Sequence, residues 1–130
     1  MSNPTEDLLA QFEAQQIAPS EFGHRQHVQV AFEMLHKYGY IDACTKYSRI
    51  IRAMAEAVGA SDKFNVTITF AFLSLIAQRI SQDSGNRSFE TFIARNKDLM
   101  SKSVLNAWYS SEELQSEFAR THFMLPAKVA

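Results

Sequence analysis

Cysteine occurs once in these 130 residues, as Cys44. An intramolecular disulfide framework is therefore excluded, and the composition fits a reducing compartment. Glycine and proline are also scarce, at four and three residues, which leaves few of the turns that a sheet protein of this length needs. The net charge is −1 at pH 7 and no basic block occurs, so the footprint of a nucleic-acid binder is missing. No apolar run approaches the roughly 20 residues of a membrane span. The polar, acidic start, Met1 to Phe12, has neither the basic head nor the apolar stretch of a secretory signal. These absences predict a cytoplasmic protein without nucleic-acid or membrane partners. Two catalytic signatures are missing as well: a Gly-x-Ser-x-Gly elbow and a glycine-rich phosphate loop. Cys44 sits in Asp42-Ala43-Cys44-Thr45, inside a predicted helix, which is the setting of a buried, inert thiol.

What is present is helical periodicity and aromatic bulk. Ten phenylalanines point to an aromatic-rich interior, and the length fits one domain over residues 1–130. Asn3-Pro4-Thr5-Glu6 combines a capping residue, a first-turn proline and a Glu three after the cap, starting a helix to about Gln16. The connection Ile17 to Gly23 follows. A second helix runs from Gly23 or His24 to Gly39, and a third from about Ile41 to Val58 with Gly59 behind it. A fourth covers about residues 65–82, a polar break holds Gly85, and a fifth covers about Ser88 to Asn96. A short helix is expected over Lys102 to Trp108. A last one, opened by a capping box from Ser110 to Glu113, ends near Arg120. Phe123, Met124 and Leu125 are expected to dock the tail on the body. Val66 to Phe70 alternates like a β-branched strand, but it continues into an apolar run, Ala71 to Ala77, too long for one. The reading is a single helix, apolar on most sides and hence central. The fold class is all-α, a single compact bundle of about five to seven helices.

The candidate site comes from His24-Arg25-Gln26-His27. At about 100° per residue, His24, His27, Val28, Ala31, Met34, Leu35 and Tyr38 fall within about 120° of arc. Gln26, Gln29, Glu33, His36 and Lys37 fall opposite. Two imidazoles thus project toward the core, where each ring nitrogen needs a partner. On the fourth helix Asn65, Thr69, Phe72 and Ile76 share a stripe, polar at its start. A meeting of the two polar ends would add helix N-terminal amides, which favour anions. His27 is the candidate general base, because imidazole titrates near neutrality. The Tyr109 hydroxyl is a further candidate for this pocket, against a plainer role of Trp108-Tyr109-Ser110 as packing anchor and cap. Arg49 and Arg52 read as a solvated face, and Arg120 and His122 as cations at a helix C-terminus. Metal ligands are few. Two His spaced i, i+3 need one or two more, the fourth helix offers none, and His122 would have to reach back. His24, His27 and His122 are the candidates, and no metal site or cofactor is assigned.

The chain resembles a family of small, mostly bacterial helical proteins with no established activity. The resemblance rests on His24-x-x-His27-Val28-x-x-Ala31, on Phe64-Asn65-x-Thr67-x-Thr69, and on Trp108-Tyr109-Ser110, Ala119-Arg120, Phe123 and Pro126, in that order. It implies that His24, His27, position 65 and Thr67 form a site. The family has histidine at position 65, where this chain has Asn65. The functional expectation is a polar pocket of His24, His27, Asn65 and Thr67 or Thr69 that takes a small molecule or anion. The alternative is a structural or interaction module whose histidines only satisfy buried polar groups, with Phe123 to Leu125 packing across a homodimer. A metal-binding protein is the second alternative.

Overall fold

A computed structural model of the chain describes residues 4–83 and 88–127, with side chains from Leu8 onward within those ranges. Among the described residues there are seven α-helices: α1 (Pro4–Glu13), α2 (His24–Tyr38), α3 (Tyr40–Ala57), α4 (Val66–Gln82), α5 (Phe89–Arg95), α6 (Ser111–Gln115) and α7 (Glu117–Thr121). Short 3-10 segments lie at Pro19–Glu21, Ser61–Lys63, Lys97–Met100 and Lys102–Ala107. Among the described residues there is no strand, and no helix is long and apolar enough to cross a membrane. The architecture is all-α, as the periodicity predicts.

The core forms because the apolar stripes of the helices meet. α2 packs on α1, α3, α4 and α5, and α4 packs on α2, α3 and α7. Phe12, Phe32, Met34, Leu73, Ile76 and Phe92 are fully buried between them. The aromatic content is used in ring pairs, Phe12 on Phe22 at 5.3 Å and Phe32 on Phe92 at 4.8 Å, geometries that add to area burial. Gly39 alone joins α2 to α3, at φ +83°. A side chain there would be strained, whatever the space around it. The alternating segment Val66 to Phe70 is the first turn of α4, since the Asn65 cap and the apolar run beyond it both favour helix.

Four expectations need correction. α1 stops at Glu13 rather than Gln16, because the chain turns through Gln15 at φ 56°. The segment expected as a helix over Lys102 to Trp108 is 3-10, Lys102–Ala107. The last helix is broken at Ser116, whose backbone is extended and whose Oγ accepts from Ala119 N at 3.1 Å and donates to the Glu113 carbonyl at 2.7 Å. Serine competes with the helix for backbone partners, so it ends α6 and caps α7. The predicted Ser110–Glu113 capping box is present just before. The tail docks through its main chain and Met124. Phe123 and Leu125 remain 44% and 76% exposed. The expected Asn3 cap and the polar break at Gly85 lie outside the described residues.

Candidate functional site

A cavity of about 390 Å³ opens where the first turns of α2 and α4 converge. That size is in the range of small-molecule sites, ~300–1,000 Å³. His24 and His27 of α2, the α4 cap Asn65 and Thr69 of α4 all border it, with apolar walls from Ile51, Phe72, Leu73 and Ile76. The helical wheel placed both histidines toward the core, and both are half-buried, while His36 is exposed.

His27 is held from two sides. Its Nδ1 lies 2.8 Å from the Gly23 carbonyl. A carbonyl only accepts, so Nδ1 carries the proton and the neutral ring presents Nε2 as a bare acceptor. Phe22 packs on the ring at 4.2 Å between centroids. Nε2 has no hydrogen-bond partner among the described residues. No fully buried side-chain nitrogen or oxygen there lacks one, so Nε2 is not sealed off from the cavity it borders. Burial lowers the pKa of His27 from its ordinary 6.5, against the bond to Gly23, and the charges of His24 and Lys102 add to the lowering. Near pH 7 the side chain is therefore a neutral base. A depressed pKa means that the unfolded chain protonates first. His27 thus contributes stability above its unfolded pKa that is lost as pH falls through the folded value. We expect the stability difference between wild type and His27→Gln to shrink from about pH 7 to pH 5. An NMR titration should place the His27 midpoint below 6.5, and a midpoint at or above that value would refute the assignment.

His24 is spent on the scaffold. Its Nε2 donates to the Leu99 carbonyl at 2.8 Å, and Phe72 meets the ring edge-on at 5.3 Å. That carbonyl is fixed in turn, because Arg79 grips Asp98 through two bonds of 2.9 and 2.7 Å. The guanidinium holds the Asp98 carboxyl below its usual range. Asn65 is also fully engaged. Its Oδ1 accepts from Ile68 N at 2.9 Å, and its Nδ2 donates to the Leu114 carbonyl at 2.7 Å. Thr69 Oγ1 donates to the Asn65 carbonyl at 2.7 Å.

The other candidates lie elsewhere. Thr67 faces the tail, donating to the His122 carbonyl at 2.8 Å and accepting from Met124 N at 2.9 Å. Tyr109 Oη donates to the Met124 carbonyl at 2.7 Å and does not border the cavity. The exposed His122 stacks on Phe118 at 4.7 Å, with its Nδ1 2.9 Å from Thr121 Oγ1. Neither Thr67 nor His122 borders the cavity that His24 and His27 share. Among the described residues, no three His, Cys, Asp or Glu come together as a metal-ligand set. Cys44 is buried, which pushes its thiol pKa up and makes the thiolate scarce.

Three cavity residues have no motif in the sequence. Lys63 ends the 3-10 turn before α4, Lys102 starts the one before Trp108, and Tyr47 comes from α3. Tyr47 is only 7% exposed, yet its phenol oxygen has no hydrogen-bond partner among the described residues. That oxygen is not sealed off, because among the described residues no fully buried side-chain oxygen lacks a partner. Burial raises its pKa, so it stays a neutral donor and acceptor. Its place beside Ala43 and Cys44 on the apolar stripe of α3 signalled core, and only the packing of α3 on α2 and α4 brings it to this cavity. No family model, curated protein or solved structure matches the chain.

Proposed function

We propose that the protein binds a small organic molecule in the cavity between the first turns of α2 and α4, with His27 Nε2 as the group that fixes it. The observation that carries this reading is a neutral, half-buried imidazole anchored through Nδ1 to Gly23 while Nε2 stays unpaired beside a cavity of about 390 Å³. An apolar cavity with a few polar groups free to orient a ligand is the usual build of such sites. The same nitrogen is placed to act as a general base toward a bound acid. Asn65, Thr69 and His24 support this pocket as its frame, since their hydrogen bonds tie the start of α2 to Leu99 and the start of α4 to Leu114.

The test is a screen of small aliphatic and aromatic fragments by amide NMR, with His27→Gln alongside. Gln retains a polar side chain but removes the imidazole acceptor. Fragments should shift the amides of Gly23, Ala31 and Ile68, and His27→Gln should weaken them roughly two- to tenfold, the worth of one hydrogen bond. Equal binding by both proteins would sink the role of His27. A specific observation favours a second reading, an interaction module: Phe118, Phe123 and Leu125 are all large, apolar and exposed within the last residues described.

A further inference from the structure

We infer that the ligand is an organic carboxylate on an elongated apolar body, its head at the starts of α2 and α4 and its tail along α4. This inference rests on the pocket reading above and adds the chemical class. Charge comes first. Lys63 and Lys102 both border the cavity, and among the described residues no Asp or Glu does and no carboxylate pairs with either lysine. Two long helices, of 15 and 17 residues, also start there, and the positive ends of their dipoles favour an anion. A cationic head would meet only like charge, a neutral one would leave this field unused, and an anionic head favours proton uptake by His27, whose Nε2 then donates to it.

Polarity then divides the cavity lengthwise. The polar lining groups His24, His27, Lys63 and Asn65 lie at the helix starts, among apolar ones such as Val28 and Ile68, whereas the α4 residues one to two turns on, Phe72, Leu73 and Ile76, are all apolar. From Thr69 to Ile76 the helix advances about 10 Å at ~1.5 Å per residue, enough to lie along a medium-length alkyl chain. An inorganic anion would leave that apolar wall in water, where covering it is favourable. The unpaired Tyr47 phenol also borders the cavity and is a further donor that a ligand can meet.

Amide NMR titrations with decanoate and with decanol, which share a chain and differ in head charge, test this. Decanoate should bind tighter than decanol by roughly tenfold and weaken with added salt, because exposed lysines are screened. The double variant Lys63→Gln/Lys102→Gln, altered at exposed side chains, should weaken decanoate about five- to tenfold and leave decanol unchanged. Decanol binding as tightly as decanoate, or a double variant without effect, overturns the carboxylate and leaves the pocket reading standing. If neither compound shifts the amides of Gly23, Ala31 and Ile68, both are overturned.

Discussion

Asn65→Ala is expected to destabilise the protein by about 2–4 kcal/mol, combining a lost helix cap with a buried carbonyl left unpaired. Asn65 is only 8% exposed and both ends of its amide are committed. Oδ1 caps α4 on Ile68 N, and Nδ2 reaches 49 residues along the chain to Leu114 in α6. Alanine orphans both partners, and the Leu114 carbonyl sits where water cannot easily replace the donor. Urea denaturation should show the loss as a lower midpoint at an unchanged slope. Asn65→Asp separates the two roles, since it keeps the capping acceptor and sets a second acceptor against the Leu114 carbonyl. Asn65→His is expected to lose least. Neutral imidazole also offers one donor and one acceptor. On that reading position 65 frames the pocket in either form, and a cost below about 1 kcal/mol for alanine would contradict it.

The helices were legible because their signals are local. Gly39, the Ser110–Glu113 box and the apolar stripes of α2 and α4 each act over a few residues, and each forms where the periodicity puts it. Ser116 was missed for a local reason too: a serine inside an amphipathic stretch either faces solvent or turns back on the backbone, and periodicity does not distinguish these. At the candidate site, the inward aim of His24 and His27 follows from spacing alone. Which nitrogen of each ring is engaged does not, because Leu99 lies 75 residues away from His24. Lys63, Lys102 and Tyr47 carried no pattern of their own. Their nearness to His27 is a product of chain topology, which spacing within one helix does not encode.

Thr67→Val should cost about 2–3 kcal/mol and release the C-terminal segment while the bundle stays folded, since two hydrogen bonds of about 1 kcal/mol each vanish and their partners are left poorly solvated. The shape of the side chain is kept, so packing changes little and the hydroxyl alone is tested. That hydroxyl is fully buried and is bonded twice, to the His122 carbonyl and to Met124 N. With the Tyr109 bond to the Met124 carbonyl, it pins a short stretch of main chain whose side chains at 123 and 125 contribute little burial. Hydrogen exchange is the direct readout, because opening this segment alone leaves the core amides protected. The Met124 amide should exchange many-fold faster in Thr67→Val, while the amides of Leu73 and Ile76 in α4 stay slow. Tyr109→Phe should give a smaller increase, and the double variant should fall short of the sum, because both bonds restrain the same residue. Unchanged protection at Met124 would show that the tail is held by something other than its main chain, and the docking exposed by Thr67 would have to be reassigned to the Met124 side chain.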